Sequence, residues 1–229
     1  PQNKRYLPNA QVIDIEGTFS VTGSDLPHTM ISAQQFEQAV QALGVNQNSI
    51  VVIYDDIGLY SAARAWWMFK LMGHDEVYVL NGGLPAWEKA GYETKLEPAK
   101  PEAIGNFNAH YQSDWISDSK SVLASLHKPA VRIVDARSAG RFNGTSPEPR
   151  AGLRSGHIPG SVNLPFNSLT SENGFIPVGE LTKQLNAIGA DNSQRLVFTC
   201  GSGITASILL LAAYCCGFKN LSVYDGSWS

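Results

Sequence analysis

The residues best suited to chemistry lie near the C-terminal end, in Arg195-Leu-Val-Phe-Thr-Cys200-Gly-Ser-Gly-Ile-Thr-Ala206. Leu196 to Thr199 is a short apolar run that reads as a buried strand. Thr205 to Cys216 reads as a buried helix closed by Gly217. Between them, Gly201 and Gly203 let the backbone curl tightly. Such a loop can aim several N–H groups and the positive end of the next helix at one point. Cys200 stands at that point, where a thiolate is stabilised and made a better nucleophile. Cys200 is therefore the expected catalytic nucleophile.

Other readings of the same loop stay open on the residues alone. One is a structural strand–turn–helix with an incidental cysteine. A second is a nucleotide site: Gly201-Ser-Gly203-Ile-Thr-Ala206 fits G-x-G-x-x-A, and Asp225 follows about where a ribose-binding acid belongs. Only four residues follow Asp225, so the rest of a dinucleotide domain has no sequence to build it. A third is a cysteine phosphatase, but the arginine needed in Cys-x5-Arg falls on Ala206. Elsewhere, Arg141 and Arg150 lie nine apart in a loop from Arg137 to Gly156 that is rich in Gly, Pro and Arg. By spacing they are surface ion pairs or a guanidinium clamp on a small carboxylate.

The elements that must position these groups alternate strand and helix, which implies parallel α/β sheets. Strands are expected at 12–15, 50–54, 77–80, 131–135, 162–164 and 196–199. Helices are expected from Ser32 (a capping box with Gln35) to Gly44, from Ser61 to Met72, from Asp118 to Leu126, over Leu181 to Ile188, and over Thr205 to Cys216. Glu97 to Gly105 reads as a linker by its prolines and polarity. The expected division is residues 1–97, a linker at 98–115, and 116–229. The halves look like a repeat, with Ile50–Gly82 aligned on Arg195–Gly226, and this sets Asp55 opposite Cys200. Only the second half should then do chemistry. The first half has few residues ahead of Tyr6, so its first strand and helix are expected to be missing.

Composition sets the outer bounds. The chain is 43% hydrophobic and 16% charged with a net charge of −3, which gives no electrostatic case for nucleic acid or an anionic membrane. Its longest apolar run, Ile208 to Cys216, is too short to span a bilayer. Three cysteines form no paired framework, and this favours a reducing compartment, the cytoplasm. Zinc-type Cys/His spacing is missing from the sequence. Trp66, Trp67 and Met68 read as packing residues, Cys215 and Cys216 as buried helix residues, and Asp55 and Asp56 as groups that orient the first-half loop, with Arg64 a candidate partner.

Cys200-Gly-Ser-Gly-Ile-Thr205 closely resembles the active-site loop of 3-mercaptopyruvate sulfurtransferases, two-domain relatives of rhodanese. Asp135-Ala-Arg-Ser-Ala-Gly-Arg-Phe142, Glu148-Pro-Arg150, Gly156-His-Ile-Pro-Gly160, Tyr224-Asp-Gly-Ser-Trp228, Ser61-Ala-Ala-Arg-Ala-Trp-Trp67 and Asn81-Gly-Gly-Leu-Pro-Ala-Trp87 resemble the same family. The resemblance implies two tandem rhodanese-like domains of α/β class, each a parallel sheet flanked by helices, with the site at their interface. It implies transfer of sulfur from 3-mercaptopyruvate to a thiol such as thioredoxin through a Cys200 persulfide, with no cofactor or metal. It assigns Arg141 and Arg150 to the substrate carboxylate and keto oxygen, the N–H groups of Gly201, Gly203, Ile204 and Thr205 to the sulfur cradle, and Ser202 to a hydrogen bond or proton relay. Thr205 could also cap the helix. Thiosulfate-using rhodaneses resemble the chain less, because their loop is basic, and a non-catalytic rhodanese-like module is the remaining alternative. The first-half histidine of the family's relay is Tyr6 here. Its second-half counterpart, His157, is expected to bond loop backbone.

Overall fold

The computed structural model describes residues 4–228, which separate into two compact units. The first comprises the chain up to Ser24, His28–Gln112 and Glu172–Gly174; the second comprises Asp25–Pro27, Ser113–Ser171 and the chain from Phe175.

The second unit is built on a five-stranded parallel sheet. Its strands are β3 (Ile116–Ser117), β4 (Val131–Asp135), β5 (Val162–Asn163), β6 (Arg195–Thr199) and β7 (Leu221–Tyr224), in the order β3-β7-β6-β4-β5. The central pair runs in register from Val131 opposite Arg195 to Asp135 opposite Thr199. These strands are nearly continuous apolar runs because helices cover the sheet, so both faces are dry. Ile133, Val134, Leu196, Val197 and Phe198 are all buried. Around the sheet lie α4 (Ser119–Ser125), α5 (Ala139–Phe142), α6 (Val178–Ala187) and α7 (Ile204–Cys215). Asp118 starts α4 with a capping box to Ser121, and hydrogen bonds from the Ser121 backbone and side chain hold its carboxyl below its ordinary range. The inward face of α6 carries Leu181 and Leu185. The middle of α7, Ala206 to Ala213, is buried all round, as a helix apolar on every side must be.

The first unit repeats the strand–loop–helix–strand order with β1 (Val51–Ile53), α2 (Ala62–Leu71) and β2 (Val77–Val79), the two strands again parallel. Ahead of them, α1 (Ala33–Ala42) starts at Ser32 with the expected capping box to Gln35. Every residue of α2 is buried. Trp66 bonds the Val77 carbonyl through Nε1 at 3.1 Å, and Phe36, Phe69 and Phe107 meet edge to face at 5.3–6.0 Å. The aromatic run of α2 is therefore core.

Several local expectations change. Residues 12–15 form no strand: Asp14 accepts from the Gly17 N–H at 3.0 Å with its side chain and from the Phe19 N–H at 3.0 Å with its carbonyl, so the chain turns there. The motif Asn81 to Trp87, to which no element was assigned, runs into a helix, α3 (Gly83–Lys89). Pro85 sits in its first turn, where a missing N–H costs nothing. The stretch from Gly105 to Gln112 lies on the first unit, with Gly105 donating to Gln41, His110 to Met72, and Phe107 buried. The polar loop after Arg137 contains the one-turn helix α5. Cys215 is exposed and Cys216 half-buried, because the last turn of α7 runs out of the core with Tyr214. No helix among the described residues is long and apolar enough to cross a membrane.

Candidate active site

β4 and β6 are neighbours, so their C-terminal ends deliver two different groups to one edge of the sheet. This is the edge where ligands bind in open parallel sheets. β6 ends at Thr199 and hands on Cys200; β4 ends at Asp135 and leads into Arg137 and α5.

At Cys200 the chain turns straight into α7. The helix is capped by Gly203 at φ 82°, a left-handed conformation that glycine adopts without strain. That turn folds the amides back on the sulfur: Cys200 Sγ accepts from the Gly203 N–H at 3.0 Å and from the Ser202 N–H at 3.4 Å. Both donors sit at the N-terminal end of α7, so the sulfur faces two backbone N–H groups and the start of a helix. Cys200 is only 1% exposed. Ser202 and Thr205 are half-buried at the loop surface. Thr205 does not cap α7: the cap residue is Gly203, with no side-chain cap bond, and Thr205 lies one residue inside the helix.

The arginines are ordered by acids. Asp135, at the end of β4, receives Arg137 through Nε and Nη2, the latter at 2.6 Å, with both side chains fully buried. Arg137 Nη1 continues to Glu148 at 2.8 Å. Glu148, 1% exposed in its side chain, also takes Arg141 through Nε at 3.1 Å and Nη2 at 2.6 Å. Burial alone would push the Glu148 carboxyl up, but the hydrogen bonds and charges of Arg141 and Arg137 outweigh it and hold the group below the ordinary glutamate range. Burial likewise opposes the Arg137 charge, and Asp135 and Glu148 more than compensate. Arg137 is thus the fixed end of a chain of charges and Arg141 its open end, 25% exposed. Glu148 is the member whose role pattern reading missed; its signal was a carboxylate among four arginines in one loop.

Arg141 and Arg150 both reach the cysteine loop. Arg141 Nη2 comes so close to Gly201 that a Cβ there would lie 2.8 Å from it. Arg150 donates through Nη2 to the Gly201 carbonyl at 2.5 Å. Arg141, Arg150, Gly201, Ser202, Gly203, Ile204 and Thr205 therefore gather around Cys200. His157 stays outside this set; its Nδ1 is 2.8 Å from the Phe142 carbonyl and its ring stacks on Phe142 at 3.9 Å. The segment after β7 closes the cysteine from another element, with Trp228 N–H donating to the Cys200 carbonyl at 2.9 Å and the Ser227 hydroxyl 3.9 Å from Sγ. Neither contact was foreseen. A cavity of about 370 Å³ adjoins this corner, lined in part by Leu153, Arg154, Tyr224, Ser227 and Trp228.

Comparison with known proteins gives the family. The rhodanese-like domain family matches residues 3–90 and 118–229. The chain is 42% identical to a thiosulfate sulfurtransferase of Rattus norvegicus, over 99% of the chain and 77% of that protein. It is 41% identical to a 3-mercaptopyruvate sulfurtransferase of the same organism, over 98% of the chain and 76% of that protein. A thiosulfate/3-mercaptopyruvate sulfurtransferase of Arabidopsis thaliana, described as mitochondrial, is 36% identical over 98% of the chain, which spans 64% of that relative's length. The crystal structure of the 3-mercaptopyruvate sulfotransferase SseA of Escherichia coli superimposes with a TM-score of 0.87 at 35% identity, over 98% of the chain and 84% of SseA. Two rhodanese-like domains of α/β class, matched over nearly the whole length by sulfurtransferases, make this chain a member of the two-domain rhodanese-like sulfurtransferase family.

Proposed function

We propose that the chain is a 3-mercaptopyruvate sulfurtransferase working through a persulfide on Cys200. The observation that carries this reading is a sulfur held by two loop N–H groups at a helix start, with two arginines from another loop reaching Gly201 beside it. The Cys200 thiolate attacks the sulfur of 3-mercaptopyruvate. The carbon–sulfur bond breaks, its electron pair leaves as the enolate of pyruvate, and the enolate takes a proton at carbon. Arg141 and Arg150 bind the carboxylate and keto oxygen and stabilise the enolate charge. Glu148 occupies the Nε/Nη2 edge of Arg141, which aims the Nη1 edge at a ligand. Ser202 supplies a hydroxyl for the proton passed to the enolate. The outer sulfur of the persulfide rests on the N–H groups of Gly201, Ser202, Gly203, Ile204 and Thr205. A thiol then attacks that sulfur, carries it away as its own persulfide and restores the thiolate. The acceptor is a small thiol or a dithiol protein such as thioredoxin. Three free cysteines suit a reducing compartment, the cytoplasm in the first instance.

Thiosulfate is the competing donor, favoured by the equal likeness to a rat thiosulfate sulfurtransferase. Gly201-Ser202-Gly203 offers no side-chain charge to a dianion, so a keto acid is the better substrate. Intact mass before and after 3-mercaptopyruvate tests the persulfide. We expect a gain of about 32 Da, one sulfur atom, that a thiol reverses and that Cys200→Ser abolishes. No mass gain and no pyruvate would reject the reading, and a higher kcat/KM for thiosulfate would replace the donor.

A further inference from the structure

The half of the arginine loop that carries Arg150 has no helix or strand to hold it. From Pro149 to Ser155 every residue but Leu153 is exposed. Arg150 nevertheless reaches the Gly201 carbonyl at 2.5 Å. A clamp of two guanidiniums works on a small ligand only if its loop is fixed relative to the reacting sulfur. Trp228 stands between the two loops. Its backbone N–H donates to the Cys200 carbonyl at 2.9 Å, and its indole Nε1–H donates to the Arg154 carbonyl at 2.7 Å. Its ring lies under the Arg137 guanidinium, with Cζ 4.7 Å from the ring centroid. The side chain also packs against the core cluster of Val122, Ile133, Ile158 and Val197. One seated residue therefore meets the cysteine loop, the fixed end of the charge chain and the far half of the arginine loop.

We propose that Trp228 is a positioning residue for the donor's carboxylate: its indole N–H to the Arg154 carbonyl sets the Arg150 half of the loop against Cys200. This rests on Cys200 being the nucleophile and on Arg141 and Arg150 binding the carboxylate. Tryptophan suits the task because its large ring seats in apolar surroundings while its N–H donates and accepts nothing. The bond ends on a backbone carbonyl, so the side chain of residue 154 does not make it. Arg141 is held separately by Glu148, so the tie acts chiefly through Arg150. Without the tie both arginines remain, but their loop samples other positions. An arriving carboxylate must then order the loop itself, and that cost falls on binding.

Trp228→Phe removes the indole N–H while keeping an aromatic ring and the backbone N–H. Two alkylating agents read the consequence at Cys200, with the site identified by peptide mass. In both, the sulfur attacks the methylene carbon and iodide leaves, but iodoacetate carries a carboxylate and iodoacetamide does not. Their rate ratio, divided by the same ratio for glutathione, measures how well the arginines meet a carboxylate beside the sulfur. Wild type should favour iodoacetate. In Trp228→Phe that preference should fall about fivefold, as loss of one hydrogen bond implies, with the iodoacetamide rate within about twofold of wild type. KM for mercaptopyruvate should rise about fivefold while kcat stays within about twofold, because the cost lies in ordering the loop on binding. A residue that only stabilised the fold would lower the melting temperature and leave the ratio alone. An unchanged preference in Trp228→Phe overturns the proposal, including the case where both rates change by one factor, since that places the effect on the sulfur. No preference for iodoacetate in wild type would reject the carboxylate clamp and the tie with it. A wild-type preference that survives the substitution rejects the tie alone, so the two failures are distinct.

Discussion

The loop that follows β1 and the loop that follows β6 occupy the same place in two copies of one strand–loop–helix–strand unit, and each turns its N–H groups on one side-chain acceptor. In the second unit the acceptor is a cysteine sulfur, held by Ser202 and Gly203 N–H. In the first it is the Asp55 carboxylate, which accepts from the N–H groups of Ile57 at 3.2 Å, Tyr60 at 2.6 Å and Ala62 at 3.0 Å. A loop leading into a helix offers several unpaired N–H groups, and an acceptor must fill the cradle. A carboxylate fills it permanently and locks the loop. A thiol fills it weakly when neutral and well when ionised, so the same architecture becomes reactive. The contrast extends to cations. The second unit brings Arg141 and Arg150 to its loop, whereas Arg64 in the first is buried, donates to the His28 carbonyl at 2.6 Å and lies on the Trp67 ring at 4.2 Å.

The sharpest way to break the comparison is to remove each acceptor. Cys200→Ser should lower sulfurtransfer by more than about a thousandfold with little change in melting temperature, because a hydroxyl keeps the shape but not the nucleophile. Asp55→Ala should do the reverse. It strands one buried and two partly buried N–H donors at the head of α2, so we expect a loss of about 3 kcal/mol in unfolding free energy with the chemistry at Cys200 largely kept. Parallel chemical denaturation and steady-state assays decide. If Asp55→Ala were as inactive as Cys200→Ser while remaining folded, the view that the first loop is a structural plug would fail.

A finer test sits at Gly201. A Cβ there would approach Arg141 Nη2 to 2.8 Å, and that atom is the far end of a flexible side chain, so the fold can yield. Gly201→Ala should therefore leave stability within about 1 kcal/mol while moving Arg141, raising KM for mercaptopyruvate several-fold. An unchanged KM would mean that Arg141 does not meet substrate from its present position.

The difference between the loops was only partly legible in the sequence. The β6–α7 unit stood out because an apolar run, two glycines and an apolar helix leave few alternatives, and the Ser32–Gln35 cap was readable for similar local reasons. Arg141 and Arg150 were visible as a pair by spacing, but the choice of a clamp over surface ion pairs came from resemblance. Glu148 escaped because its meaning depends on the loop from Arg137 to Gly156 folding back, which brings a carboxylate between two guanidiniums eleven and seven residues away. Ser227 escaped because a left-handed φ on serine leaves no mark in the pattern of residue types. β3 has only two residues and exists through pairing with β7, a long-range contact without local periodicity. Cys215 and Cys216 were misplaced because apolar content runs on to the end of α7 after the core has ended.

Acid gives the smallest effect and tests the charges that hold Arg141 beside the second loop. Glu148 is held below the ordinary glutamate range, after burial is outweighed, by Arg141 and Arg137. A carboxylate whose folded value is depressed stabilises the fold fully above its unfolded value, near 4.3, and loses that contribution as pH falls through the folded value. Melting temperatures of wild type and Glu148→Gln between pH 7 and pH 3 measure it. The variant should melt lower at neutral pH, by about 2–4 °C for each 1 kcal/mol lost. Its deficit should shrink as acid protonates Glu148 in the wild type and releases both arginines from the charge. Curves that stay parallel down to pH 3 would show that the Arg137–Glu148–Arg141 chain acts through shape rather than charge. Arg141 would then be aimed by packing alone, and its readiness for a carboxylate would owe nothing to the acid beside it.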